Sequence, residues 1–182
     1  MIEQYEHYPA SFVMRSKDLS TLRITDIWRF KSTKSNKIYY IEMEHFSDNL
    51  IAVKFYYIGV RLSENRYSIM TNDNEPRRIV YSCFELMRRY YLKDNTISFG
   101  FVAASDIDPI KKEKPGNRRF RFYRTLVNNY FGTKAFAHLH DGNERLYLLL
   151  NRQQIQNGKL TVEHISEIIN KLYECDFNFS WD

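Results

Sequence analysis

Residues 71–91 read TNDNEPRRIVYSCFELMRRYY, and within this stretch the spacing of apolar residues changes from two to three and four. Ile79, Val80, Cys83, Phe84, Met87 and Tyr91 recur at helical spacing behind Pro76, which suits a first helical turn because an N–H there has no partner in the helix. The stretch predicts a helix over 76–92 and splits the chain into a strand-rich first part and a mixed second part.

Upstream, LRITDIWRF (22–30), KIYYIEMEH (37–45) and LIAVKFYYIG (50–59) are separated by the polar turns STKSN and FSDN. Tyr39, Ile41 and Met43 alternate with Ile38, Tyr40 and Glu42. Ile51, Val53, Phe55 and Tyr57 share one face opposite Lys54, the pattern of a strand covered mainly on one side. RYSIM (66–70) is expected to complete an antiparallel meander, whereas residues 1–21 follow neither period and are expected to be irregular.

Downstream, TISFGFVAA (96–104) is apolar on both faces, as a central strand is. A charged loop, SDIDPIKKEKPGN, leads to a second helix over about 118–131. KAFAHLHD (134–141) and ERLYLLLN (144–151) are strands joined by the hairpin signal Asp141-Gly142-Asn143. TVEHISEIINKLYE (161–174) is an amphipathic helix capped by Thr161. The order β-β-β-β-α-β-α-β-β-α implies an α+β (mixed α/β) fold: a largely antiparallel sheet of about six or seven strands packed with about three helices. No linker or repeat divides the chain, so residues 1–182 are read as a single domain.

The composition narrows the class. A hydrophobic fraction of 43% with six Gly and four Pro excludes general disorder. The longest apolar runs, such as Leu146–Leu150, fall far short of the roughly 20 residues that cross a bilayer. MIEQYEHYPASF at the start has no basic segment followed by an apolar one, so a cytoplasmic location is expected. Cys83 and Cys175 have no neighbouring Cys or His and imply neither a disulfide framework nor zinc; Cys83 lies on the apolar stripe of its helix and is expected in the core.

The charge is concentrated. The whole chain is +5, yet Lys111–Arg124 (KKEKPGNRRFRFYR) holds seven cations and one acid, so the remainder sums to −1. On a helical wheel Phe120, Phe122, Leu126, Val127, Tyr130 and Phe131 gather around Tyr123, while Arg118, Arg121 and Arg124 point the other way. Arg119 falls inside the apolar sector, one turn before Tyr123, where a charge needs solvent or a partner, such as the acids Asp106 or Asp108. One reading is a solvated loop and a charged helix face. The other is an anion site in which Lys111, Lys112, Lys114, Arg118, Arg119, Arg121 and Arg124 combine with the orphan N–H groups of a helix start. Gly116 stands alone, so no glycine-rich phosphate loop accompanies it.

The element order and the run Asn117-Arg118-Arg119-Phe120-Arg121-Phe122-Tyr123 resemble the GNAT-type N-acetyltransferases, over roughly residues 35–151. The resemblance implies a GNAT-like fold, acetyl-CoA as cofactor and Tyr123 as general acid toward the departing thiolate. RRFRFYRTLV also resembles a group of uncharacterised bacterial and phage proteins with an R-x-R-[LF]-Y-x-x-L helix. The family's glycine-rich pyrophosphate loop is replaced here by NDNEPRRIV: no glycine, one N–H removed by Pro76, and Glu75 where phosphate would sit.

Three functions follow as expectations. The favoured one is a non-catalytic binding module whose Lys111–Arg124 patch docks a polyanion, with nucleic acid or an acidic protein surface as partner. The others are a divergent acyltransferase using Tyr123, and a structural component in which aromatic edges mediate homo-oligomer formation. His138-x-His140-Asp141 sets two imidazoles on one side of a strand but lacks a third ligand, so no metal site is assigned and an ordinary sheet surface is expected. Phe177, Phe179 and Trp181 are read as core or edge covering.

Overall fold

The computed structural model describes residues 5–64, 66, 67, 73–102, 118–142, 146–173 and 179–181. They form an α+β fold around one sheet. In chain order the elements are β1 (Ser11–Lys17), β2 (Ile24–Lys31), β3 (Ile38–His45), β4 (Leu50–Tyr57), α1 (Pro76–Lys93), β5 (Ser98–Val102), α2 (Arg118–Phe131), β6 (Phe136–Asp141), β7 (Leu146–Asn151), α3 (Arg152–Gln156), α4 (Val162–Tyr173) and β8 (Phe179–Trp181). The sheet order is β1-β2-β3-β4-β5-β7-β6-β8. Every neighbouring pair is antiparallel except β4 and β5, which run parallel from Leu50↔Ser98 to Val53↔Phe101.

The meander is as local as its sequence implies: β2 against β3 and β3 against β4 pair without a register shift. Alternation then builds one side of the core, where Trp28, Phe30, Tyr39, Ile41, Met43 and Val53 meet Ile79, Cys83, Phe84 and Met87 of α1 and Phe120, Leu126 and Val127 of α2. On the opposite face a second cluster joins Leu50, Leu139, Leu148 and Leu150 to Ile165 and Ile169 of α4. β7 is buried at all six positions because helices lie on both of its sides. Each fully buried leucine there contributes about 1.5–3 kcal/mol relative to exposure. Helix α2 ends at Gly132, whose φ of +60° suits glycine and whose N–H donates to the carbonyl of Asn128 at 3.1 Å.

Four features differ from the sequence expectation. Among the described residues the sheet has eight strands and the α-helices number four. Residues 11–17 are not irregular: they form the edge strand β1, exposed at six of its seven positions, so no burial period marks it. Its hydrogen bonds come from β2, and Arg15 is forked onto Asp26 at 2.6 and 2.9 Å. Arg66 and Tyr67, expected to open a strand, lie in a turn; Tyr67 packs edge-on to Tyr56 and donates to Glu42 on the outer face of the sheet. Residues 68–70 of that expected strand lie outside the described residues.

The short helix α3 and strand β8 also escaped the sequence reading. Asn151 caps α3 by accepting from the N–H of Gln154, and β8 covers the edge of β6, in line with the edge role expected for Phe179 and Trp181. Phe177 lies outside the described residues. Among the described residues no helix is long and apolar enough to cross a membrane.

Candidate functional site

Parallel strands β4 and β5 stay in register to Val53↔Phe101, after which β4 continues through Lys54–Tyr57. Beside this point a chamber of about 250 Å³ opens, floored by Val53, Phe55 and Phe101 and walled by Val80, Cys83 and Phe84 of α1 with Arg119 and Tyr123 of α2. A second space of about 390 Å³ shares Phe55, Tyr67, Val80, Arg119 and Tyr123 with the first and reaches Tyr56, Tyr57, Phe122, Arg66 and Arg118. The two make one cleft, apolar at its floor, aromatic along its walls and cationic at its mouth.

Helix α2 delivers the cations as the wheel predicts, with one refinement. Phe120, Leu126 and Val127 are buried, Arg118 and Arg121 are exposed, and Arg124, expected outward, is half-buried. Arg119 turns into the cleft from the apolar side of the helix, and its Nη1 donates to the backbone carbonyl of Tyr67 at 2.6 Å. That carbonyl answers part of the need of a guanidinium on an apolar face. Asp106 and Asp108, the partners expected from sequence, lie outside the described residues, as do Lys111, Lys112 and Lys114 of the proposed anion site. The structure therefore brings Arg118, Arg119 and Tyr123 to one cleft and leaves Arg121 on the outer surface.

Tyr67 and Arg66 are the cleft residues that sequence reasoning missed as site residues. The Arg66 guanidinium stacks over the rings of Tyr67 and Tyr56, 4.6 and 5.3 Å from their centroids, and its Nη2 donates to the Tyr67 hydroxyl at 2.9 Å. Burial pushes the Tyr67 phenol far up, reinforced by the adjacent Glu42 carboxylate, so the group stays protonated and donating. The same two causes push Tyr56 up to about 12. The adjacent aromatics Tyr56 and Tyr57 are visible in the sequence, where they read as core or edge covering, and nothing in their pattern ties them to Arg66 or Tyr67.

The acids near the mouth are engaged within the fold. Asp73 accepts from Lys37 and from the Tyr39 hydroxyl. Glu75, the residue before α1, is buried and accepts from Tyr8 at 2.7 Å and from Ser32. Although it makes no side-chain cap hydrogen bond to α1, its carboxylate lies at the residue before the helix, so that helix start differs electrostatically from an open phosphate cradle.

The other sequence candidates resolve as structure. His138 is buried: its Nε2 donates to the Gly132 carbonyl, leaving Nδ1 to accept from the Tyr147 hydroxyl at 2.8 Å, so it is a core histidine and not the sheet-surface residue expected. No group of three metal-ligating side chains occurs among the described residues. Cys83 is buried as expected. Compared with known proteins, the chain matches no family model, no curated protein and no solved structure.

Proposed function

We propose that this chain is a non-catalytic binding module for single-stranded nucleic acid, with phosphates held at the basic start of α2 and a base received in the cleft. The observation that carries this reading is the placement of Arg118 and Arg119 at the mouth of a cleft walled by Phe55, Tyr56, Tyr57, Phe122 and Tyr123. Arginine pairs with phosphate in a planar, forked geometry, and an aromatic wall stacks any base for about 1–3 kcal/mol. An acidic protein surface would use the cations and leave the aromatic recess idle, which favours nucleic acid between the two polyanions.

Fluorescence anisotropy of a labelled oligothymidylate tests the reading. Binding is expected to weaken by about tenfold or more between roughly 50 and 200 mM salt and to fall again in Phe122→Ala. Affinity that ignores both salt and the Phe122 substitution, or an acidic peptide that binds as tightly, would overturn it.

A second reading is supported by Tyr123, which lines both parts of the cleft beside the parallel β4–β5 pair. This is a divergent GNAT-like acyltransferase in which Tyr123 protonates the thiolate of coenzyme A. Against it stand Glu75 and Pro76 at the start of α1, where an incoming pyrophosphate would need N–H donors. Saturable stabilisation by acetyl-CoA, measured by thermal shift at millimolar ligand, together with loss of acyl transfer in Tyr123→Phe, would establish this reading in place of the first.

A further inference from the structure

The two parts of the cleft differ in chemistry. The inner chamber, about 250 Å³, takes its apolar lining from Val53, Phe55, Val80, Cys83, Phe84 and Phe101, and no acid lines it among the described residues. Five of these six residues, all but Phe55, are buried within the main core, so the chamber lies inside the protein. Close-packed interiors hold few voids larger than a water molecule. A largely apolar pocket with a few polar groups at one end is the common form of a small-molecule site.

The polar groups beside the chamber are engaged within the fold. Lys54 donates to Glu44, the Tyr67 phenol donates to Glu42, and the Tyr67 carbonyl accepts from Arg119 at 2.6 Å. A nucleobase carries N–H and C=O groups around its edge, and deep in this chamber most of them would lose water without gaining a partner. A hydrocarbon group has no such groups to strand and is drawn in by burial. As a scale, an apolar cavity of about 150 Å³ admits benzene. The chamber therefore has room for one ring with a side chain of about two carbons, or for an aliphatic chain of similar volume.

The outlet of the chamber is charged. Arg119 and Tyr123 line both the chamber and the outer space, where Arg118 is exposed. The acids of that outer space are engaged elsewhere, Asp73 with Lys37 and Tyr39 and Glu75 with Tyr8 and Ser32. A guest that fills the chamber and carries one negative charge at its end sets that charge beside arginine. We infer that the inner chamber binds a small amphipathic monocarboxylate, its ring or chain between α1 and the β4–β5 floor and its carboxylate toward Arg118 and Arg119. The site follows from the geometry of the chamber and stands whether or not the outer space receives a base.

The test titrates phenylpropionate into the full chain, isotope-labelled at its valine methyl groups, and follows binding by NMR and calorimetry. Saturable shifts are expected at Val53 and Val80, which line the chamber, and none at Val162 of α4 on the opposite face of the sheet. Phenylpropanol keeps the ring without the charge and is expected to bind about tenfold more weakly. Acetate keeps the charge without the ring and is expected not to saturate at about 10 mM. Val80→Phe fills the chamber and should weaken phenylpropionate binding by at least about tenfold; if overpacking unfolds that variant, the valine shifts of the native chain decide on their own. Silence at Val53 and Val80 at about 10 mM phenylpropionate would overturn the inference, as would equal binding of the alcohol or of acetate. No oligonucleotide enters these titrations, so their failure leaves the nucleic-acid reading standing.

Discussion

The backbone carbonyl of Tyr67 accepts a 2.6 Å hydrogen bond from Arg119, tying the chain that follows β4 to the first turn of α2 across 52 residues of sequence. The phenol of the same tyrosine donates to Glu42 on the outer face of the sheet. Tyr67 is thus fixed at both ends, and the cation that enters the cleft is aimed by a loop anchored elsewhere.

Arg119→Ala is expected to weaken oligonucleotide binding by about tenfold, near 1.4 kcal/mol, and to raise amide exchange at Tyr67. Arg119→Lys keeps the charge without the planar fork and is expected to recover part of the affinity and little of the protection. Arg121→Ala, exposed and outside the cleft, is expected to change affinity by about twofold or less. Equal effects at Arg119 and Arg121 would mean that the patch acts as diffuse charge.

Stability should depend on pH through Asp26. Burial alone would push its carboxyl up, but hydrogen bonds from Arg15, Tyr90 and His45 outweigh burial and hold it at about 2, below the usual 3.8. Because the folded value is the lower one, the stabilisation is present above the usual carboxylate value and is lost as pH falls from 3.8 through about 2. Half-exposed Arg15 is partly screened by water, so about 1–2 kcal/mol should disappear over that window. Urea midpoints against pH are expected to fall there for the native chain and to stay flatter for Asp26→Asn, which starts less stable at neutral pH.

Glu75→Ala is expected to lower stability by about 2–3 kcal/mol, since it strands the hydroxyls of Tyr8 and Ser32 in a buried site. Glu75→Gln retains an acceptor and should lower stability less. The glutamine variant also separates the two functional readings: titration calorimetry should show tighter acetyl-CoA binding only if pyrophosphate approaches the start of α1.

Cys83 should resist alkylation in the native state although it lines the chamber. Burial pushes its thiol far up, which leaves almost no thiolate at neutral pH. Peptide mapping is expected to show labelling at Cys83 rising by at least about a hundredfold in denaturing urea. Rapid native labelling would mean that the chamber opens to solvent.

What the sequence reveals follows from one-sided burial. Helices α1 and α2 and strands β3, β4 and β7 carry one-sided or continuous apolar patterns, and β6 is marked by the hairpin signal that follows it, so their types and approximate spans are legible. β1 is exposed on both faces, so Phe12, Val13 and Met14 show no period. The parallel pairing of β4 with β5 is also silent, because periodicity specifies which way a side chain faces and not which strand lies beside it. At the site, Arg119 is legible as a charge in an apolar sector. Arg66 and Tyr67 are not, since a turn residue reaches the cleft through tertiary placement alone.

The parallel joint also bears on when the cleft comes into being. The meander from β1 to β4 closes through short turns, whereas β5 joins β4 only after residues 58–97, including all of α1, have been placed. Long-range parallel pairings form slowly because loop closure must precede the contacts that reward it. During synthesis the aromatic wall on β4 thus exists before α2, with Arg118 and Arg119, has left the ribosome. A nascent chain holds half of the cleft, and the recess gains its cations only when the second half of the sheet docks.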